Sequence, residues 1–296
     1  MSNLRVGISG WTYAGWRGVF YPPDVSQKRE LEYASRQLNT IEINGTFYSL
    51  QRPSSFQAWH DATPPRFEFA VKGSRFITHM KKLKDVDVAL ANFFASGVLA
   101  LREKLGPILW QFPPQLAFNY DKFARFLEIL PRTTAEAARL ARKHDDRLKE
   151  RAFLKVETDR PVRHAFEVRH DSFLDDRFVE LLRTQRAALV FADTAGLWPY
   201  AEDLTSNFIY IRLHGASELY TSGYSDKELD HWAERIRIWS QGRQPKDAAL
   251  ISTSSPPRRA QRDVYIYFDN DRKVRAPFDA MRLAERVLPK RQRKTA

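Results

Sequence analysis

Short runs of continuous or alternating apolar residues recur along the chain: LRVGISG (4–10), TIEING (40–45), FEFAVKG (67–73), PILWQF (107–112), HAFEVRH (164–170), AALVFADT (187–194), FIYIRLHG (208–215) and VYIYFDN (264–270). Their length and their β-branched and aromatic content predict strands. Between most of them lie segments of helical periodicity: QKRELEYASRQL (27–38), KFARFLEIL (122–130), DDRFVELLRTQ (175–185) and SDKELDHWAERIRIWSQG (225–242). Ser225 and Asp175 stand as N-caps before acidic first turns, and Gly242 stands where a helix C-terminus is expected to stop. Strand and helix alternating in this way predict an α/β protein whose parallel sheet closes as a TIM-like (β/α)8 barrel; a doubly wound open sheet is the alternative.

A barrel sends one parity of each strand inward and the other against its helices, and the inward residues turn polar near the C-terminal ends, where a site opens. In FIYIRLHG, Phe208, Tyr210, Arg212 and His214 share one face, and Ile209, Ile211 and Leu213 the other. The same division sets Ser9 apart from Ile8, Glu42 and Asn44 from Ile41 and Ile43, Lys72 from Val71, Gln111 from Trp110, and Glu167 and Arg169 from Phe166 and Val168. Strand six is read with Asp193 in step with Phe191 and Leu189, and strand eight with Asn270 in step with Phe268 and Ile266. The expected ring is therefore Ser9, Glu42, Asn44, Lys72, Gln111, Glu167, Arg169, Asp193, Arg212, His214 and Asn270. Glu167 and Arg169 could instead neutralise each other as an internal salt bridge that serves only the fold. Burying so many charges costs several kcal/mol per ion, which favours function for the set as a whole.

A length of 296 residues suits one domain over 1–296, with the barrel at about 4–287, a charged helical insertion at about 131–163 and a basic tail at 288–296. The 43% hydrophobic and 28% charged content excludes a largely disordered chain. No apolar stretch approaches the ~18 residues of a spanning helix, and the N-terminus has no basic region leading into an apolar one. A cytoplasmic protein without membrane partners is expected. The absence of cysteine excludes disulfides, thiolate catalysis and cysteine-based zinc sites. A formal charge of +12 points to an anionic partner. The basic runs RLARKHDDRLKER (139–151), RRAQR (258–262) and KRQRK (290–294) read equally as solvated faces and tails. The oligomeric state is left open.

Several segments carry a resemblance: GISGWTYAGWRGVFYPP, IEINGTFYSLQRPSSFQAW, FEFAVKGSRFITH, LGPILWQFPP, FEVRHDSF, YIRLHG and VYIYFDN. In order and spacing, from about residue 4 to 287, the chain resembles the domain of unknown function 72 family, also called YecE-like. The resemblance implies a barrel similar to those of sugar isomerases and apurinic endonucleases, and no reaction. Three positions depart from the family pattern: Asp171 and Phe173, where Pro and Trp are expected, and Asp269, where Asn is usual. The segment 131–163 also exceeds the compact family pattern.

Three inward cations (Lys72, Arg169, Arg212) face three inward anions (Glu42, Glu167, Asp193), and helix N-termini at the same rim add partial positive charge. A phosphate or carboxylate is expected there. Arg212 and Arg169 offer bidentate forks, Lys72 a point charge or a proton donor, and Arg212 and Glu167 are expected to be imperfectly paired, held ready for an external anion. The first reading is an enzyme of hydrolase, lyase or isomerase type on an anionic, phosphate- or sugar-containing substrate. Glu42 or Glu167 acts as base and His214 as acid or base, while Ser9, Asn44, Gln111 and Asn270 meet the substrate beside Trp11 and Tyr48. No cofactor is expected. A divalent metal on Glu42, Glu167, Asp193 and His214 is disfavoured because the interleaved cations would repel it, and His79 and His170 read as hydrogen-bonded structure.

The second reading is a nucleic-acid-binding or nucleic-acid-processing barrel. Trp11, Tyr13, Trp16, Phe47, Tyr48, Trp198, Tyr200, Tyr220 and Tyr224 fall near strand ends and could stack bases beside SRFITHMKKLK; the same aromatics read as an apolar lid. A third reading is a non-catalytic protein that binds a small anion. No P-loop, dinucleotide fingerprint or nucleophile elbow is present.

Overall fold

The structure is a computed structural model that describes residues 2–289. Its strands are β1 (Leu4–Ser9), β2 (Thr40–Ile43), β3 (Glu68–Lys72), β4 (Leu105–Gln111), β5 (His164–Glu167), β6 (Ala188–Asp193), β7 (Phe208–Leu213) and β8 (Asp263–Phe268). Each pairs in parallel with the next, and β8 pairs with β1, so the sheet closes as the TIM-like barrel expected from the alternation.

The helices described are α1 (Glu30–Gln37), α2 (Gly45–Tyr48), α3 (Pro53–Asp61), α4 (Asp87–Ala95), α5 (Tyr120–Ile129), α6 (Thr134–Ala141), α7 (Asp176–Thr184), α8 (Asp226–Ser240) and α9 (Arg275–Val287). Asp175 caps α7 by accepting from Arg177 N, and Ser225 with Glu228 forms a reciprocal capping box at α8. Past the end of α8, Gly242 takes φ +76°, a conformation that costs glycine nothing. The β6–β7 connection, 194–207, departs from the strand-helix rhythm: it is a loop without a helix.

Two apolar layers flank the sheet. Outward residues such as Val6, Ile8, Ile41, Val71, Trp110, Phe166, Leu189, Phe191, Ile211, Ile266 and Phe268 join the helices in the main core. Inside the barrel, Ala70, Leu109, Ala165, Ala188, Val190 and Ala192 leave room for Tyr210, Tyr265 and Tyr267. Each buried tyrosine hydroxyl needs a partner, and each finds one across the lumen. Tyr210 donates to Glu42 at 2.6 Å, Tyr265 to Glu68 at 2.8 Å, and Tyr267 shares a hydrogen with Thr40 at 2.8 Å. An Arg163–Asp263 ion pair at 2.8 Å lies at the N-terminal end of the same lumen.

The segment 131–163 carries α6 and lies against the outside of the barrel. Its two ends pair through Thr134 N to Arg160 O and Val162 N to Arg132 O, both 2.8 Å, and Asn92 of α4 bonds Asp145 through both its amide atoms. Residues 290–296, most of the basic tail, lie outside the described residues.

Candidate active site at the C-terminal mouth of the barrel

Strand register sets the floor of the mouth. Ser9 pairs with Glu42, Gln111 with Glu167, and Arg212 with both Ala192 and Tyr267, which turns these side chains into the lumen near the C-terminal ends of their strands. Arg212 is the hub and is fully buried. Its Nη2 donates to Glu42 Oε1 at 2.9 Å, to Ser9 Oγ at 2.9 Å and to Asp269 Oδ2 at 2.8 Å. Nε donates to Glu42 Oε2 at 3.2 Å, and Nη1 to Glu167 Oε2 at 2.7 Å. One guanidinium thus gathers three carboxylates.

This geometry corrects the expectation that Arg212 and Glu167 are imperfectly paired and ready for an external anion. Every nitrogen of Arg212 is engaged. Glu167 receives Arg212 on one oxygen and Arg169 Nη2 at 2.6 Å on the other, and Glu42 is closed off by Ser9, Tyr210 and Arg212. Burial alone would raise the Glu167 carboxyl, but Arg169 and then Arg212 outweigh it and hold it well below the usual carboxylate range. Arg212 is held well above its ordinary value: burial opposes the charge, and Glu42, Asp269 and Glu167 outweigh burial.

His214 follows β7 beside this hub, fully buried, with Nε2 accepting from Arg212 Nη1 at 3.4 Å and Nδ1 3.1 Å from Asp269 Oδ2. Burial and Arg212 lower its affinity for a second proton, so the neutral ring is favoured. Tyr220 crosses its face with ring centroids 5.3 Å apart.

Two expected ring members lie elsewhere. Asp193 shares the outward face of β6 with Leu189 and Phe191. Its carboxylate accepts from Tyr224 Oη at 2.9 Å, at the edge of a separate cavity of about 750 Å³ between the β6–β7 loop and α8. Asn270 follows the outward Phe268 and donates to Ser222 O at 2.9 Å and to Asp279 Oδ2 at 3.0 Å. The inward position is Asp269, in step with Tyr265 and Tyr267, and it supplies the third carboxylate. A parity count starting from the tyrosines would have found it. Burial would raise the Asp269 carboxyl, but Arg212 and His214 outweigh it and push it far below the usual range. The other two departures do not touch the lumen: Asp171 is exposed, and Phe173 is buried among Phe118, Phe123 and Phe178.

The remaining side chains form the rim. Lys72 Nζ lies inside the mouth over the Phe47 ring, 4.5 Å from its centroid, and among the described residues no acceptor is within hydrogen-bond distance of it. Burial, and then the Arg212 charge, push its pKa down to about 8. Arg169 spends Nε and Nη2 on Glu167 and stacks on Trp198 at 3.7 Å, while its Nη1 makes no hydrogen bond among the described residues. His79, 5.0 Å from the Phe47 ring, is pushed down to about 4 by burial and by Arg169 and Lys72. Asn44 donates to Ser9 Oγ at 3.0 Å and leaves its buried Oδ1 without a partner, next to a cavity of about 400 Å³ that Trp11, Tyr13, Tyr48 and Trp59 also line. Asp271, which the strand pattern does not reach, has its carboxyl raised to about 6 by burial and by Asp269.

The aromatic residues divide. Trp16, Phe47 and Tyr224 are buried, Trp11 packs edge-on against Trp59, and Tyr48 is exposed beside Arg75. His170 bonds Ser172 as a local cap. Among the described residues no group of three or more His, Asp and Glu side chains is arranged to hold a metal ion.

The fold and the mouth define an eight-stranded parallel barrel with a charged cluster closed around one arginine. The chain belongs to the family described as protein of unknown function DUF72, whose model matches residues 5–296. It is 26% identical to the UPF0759 protein YunF of Bacillus subtilis over 38% of this chain and 40% of that protein, and 25% identical to the UPF0759 protein YecE of Escherichia coli K12 over 40% and 46%. The matched stretches thus span less than half of those curated relatives. Two solved structures share the fold. A DUF72 family protein of Thermotoga maritima aligns with TM-score 0.71 and 24% identity over 96% of this chain and 98% of that one. One from Enterococcus faecalis aligns with TM-score 0.70 and 15% identity over 97% and 96%. No helix of the described residues is long and apolar enough to cross a membrane.

Proposed function

We propose that the protein is an enzyme performing acid/base chemistry on a small anionic, phosphate- or sugar-containing substrate, such as a phosphorylated sugar, at the C-terminal mouth of its barrel. The observation that carries this reading is the pair of cations left unsatisfied at the rim of an otherwise fully paired cluster, the Lys72 ammonium and Arg169 Nη1. Cations that open on the mouth with hydrogens to spare are placed to take an incoming anion in charge-assisted hydrogen bonds.

The division of labour follows from which groups are free. Arg169 takes the anion through Nη1. The partnerless Asn44 Oδ1 accepts from a substrate hydroxyl, which favours a sugar-like ligand over a bare anion. Protons that move near neutral pH belong to groups poised there, namely Asp271 at about 6 and Lys72 at about 8. Glu42, Glu167 and Asp269 form the fixed charged floor that positions Arg212, with the neutral His214 beside them, and the floor stabilises positive charge developing above it.

The test is thermal unfolding with inorganic phosphate, fructose 6-phosphate and fructose. Ligands that bind only the folded protein raise its melting temperature with concentration. Phosphate and fructose 6-phosphate are expected to do so, the latter more strongly, and Arg169→Met to abolish both shifts. No shift with either anion in the wild type would overturn the reading.

A further inference from the structure

Among the described residues two lysines are buried, Lys72 and Lys104, and they differ in one respect. Lys104 donates to His60 O at 2.6 Å, Thr63 O at 2.7 Å and Thr63 Oγ1 at 3.1 Å, which uses all three of its hydrogens. That is how a buried ammonium is normally held. Lys72, on the lumen side of β3, makes no side-chain hydrogen bond among the described residues and holds its Nζ over the face of Phe47. A lysine so placed is suited to exist as a free amine, and a free amine inside a barrel mouth is a nucleophile.

Resting on the site assigned above, we propose that Lys72 is a covalent catalyst that condenses with the carbonyl carbon of an anionic aldehyde or ketone to form an imine. The neutral Nζ attacks the carbonyl carbon, and one N–H proton passes to the carbonyl oxygen. The resulting hydroxyl takes up one further proton and leaves as water, and a protonated imine remains. An amine, a carbonyl and one proton are consumed; an iminium ion and water are formed. No oxidant or reductant is needed.

Charge at the mouth suits this product. With Lys72 neutral, Arg169 and Arg212 face Glu42, Glu167 and Asp269, and the iminium restores the missing positive charge. The electrostatic neighbours of Nζ are Arg212, which disfavours its ammonium, and Glu42, Asp269 and Glu167, which favour a cation there. The Lys72 pKa is also pushed down to about 8 by burial and Arg212, so more of it is free amine near neutral pH than of an ordinary lysine. Phe47 covers one side of Nζ, and the His79 ring, kept neutral by burial and by Arg169 and Lys72, packs edge-on against Phe47.

The experiment incubates the full chain with dihydroxyacetone phosphate or with dihydroxyacetone, adds sodium cyanoborohydride to reduce any imine, and reads intact mass followed by peptide mapping. The expected result is a single stoichiometric adduct of the phosphorylated ketone on Lys72, with Lys104 and the surface lysines labelled far less. Lys72→Arg and Lys72→Met, each checked for a cooperative melt, should lose that adduct. Labelling of Lys72 no greater than that of exposed lysines overturns the proposal on wild-type protein alone, whether or not the variants fold. The anion reading is scored separately: phosphate-dependent melting shifts without an adduct leave it standing and remove only the imine. Equal labelling by the phosphorylated and neutral ketones supports the imine and removes the anion requirement.

Discussion

Arg212 of β7 and Glu42 of β2 form a two-pronged ion pair across the barrel lumen, Nη2 to Oε1 at 2.9 Å and Nε to Oε2 at 3.2 Å, with neither side chain exposed. The same guanidinium also holds Glu167 and Asp269. Replacing it leaves three carboxylates to repel one another in a buried site. Arg212→Met is therefore expected to destabilise the protein by at least the ~3 to 5 kcal/mol typical of a broken buried pair. Arg169→Met should cost much less, because Glu167 keeps its bond to Arg212. Denaturant midpoints at constant m-value compare the two; equal losses would mean that Arg212 is not the hub.

Asp269 and Glu167 make the fold acid-sensitive in a defined window. Both are held below their ordinary values when folded, so the unfolded chain takes up protons first as pH drops. Their stabilisation is complete above the ordinary carboxylate pKa of about 4 and is lost as pH falls from there through the depressed folded values. Asp269→Asn should flatten the loss of stability between about pH 4 and pH 2 relative to wild type. Urea midpoints across that range provide the check, and parallel curves for the two proteins would contradict the assignment.

The barrel was legible because strand patterns and their helix separators are local, and all eight strands lie where the pattern puts them. Ser9, Glu42, Lys72, Gln111, Glu167 and Arg212 were legible for the same reason: each alternates with outward aliphatic or aromatic residues. Strands β6 and β8 were not legible in this way, since both of their faces are apolar. In β6 the inward set is the small residues Ala188, Val190 and Ala192, which made the bulkier Leu189 and Phe191 look equally eligible as partners of Asp193. In β8 the discriminating signal was the hydroxyl of Tyr265 and Tyr267, polar groups that only the lumen could satisfy. How the charges are shared was not legible at all, because the several bonds of Arg212 link β7 to β1, β2, the end of β5 and the residue after β8.

Gly73, immediately after Lys72, faces the indole of Trp110. A Cβ there would come within 2.3 Å of the ring, and Trp110 is itself tied to His164 Nδ1 at 3.1 Å. Gly73→Ala is expected to cost ~1 to 3 kcal/mol through overpacking. It should also weaken phosphate-dependent melting shifts by displacing the end of β3, so measuring both in one variant tests whether backbone placement sets the site.

The +12 charge makes a nucleic-acid partner directly testable. A protein that tracks phosphates loses duplex affinity with a log-log salt slope near 0.9 per phosphate neutralised, or about 0.7 on single strands. Because Arg212 is wholly internal and Arg169 largely so, any such binding should survive Arg169→Met unchanged. Fluorescence anisotropy with duplex and single-stranded oligonucleotides at two ionic strengths reads this. A loss of binding on Arg169→Met would move nucleic acid into the barrel mouth.

Lys72 offers the sharpest separation between a group that serves the fold and one that strains it. Below about pH 8 its amine is protonated in both folded and unfolded chains, and the cost of burying the ammonium is present in full. Between about 8 and the ordinary lysine value of 10.5 the unfolded chain binds a proton that the folded one does not, so stability rises with pH. A shift of this size corresponds to about 3 kcal/mol. Lys72→Met removes the cost, so the variant should be more stable than wild type at pH 7, by up to about that amount, and the gap should close toward pH 10. Glu167, Asp269 and His79, whose shifts include a contribution from the Lys72 charge, are all lowered from ordinary values that already lie below pH 7, so the comparison between pH 7 and pH 10 reads Lys72 itself. Lys104→Met should behave in the opposite sense, losing stability because two backbone carbonyls and a hydroxyl lose their donor. Chemical denaturation of the three proteins at pH 7 and pH 10 decides the matter. A Lys72→Met variant less stable than wild type at pH 7 would show that its ammonium is a structural counter-ion to Glu42, Glu167 and Asp269, and would leave the mouth without its free amine.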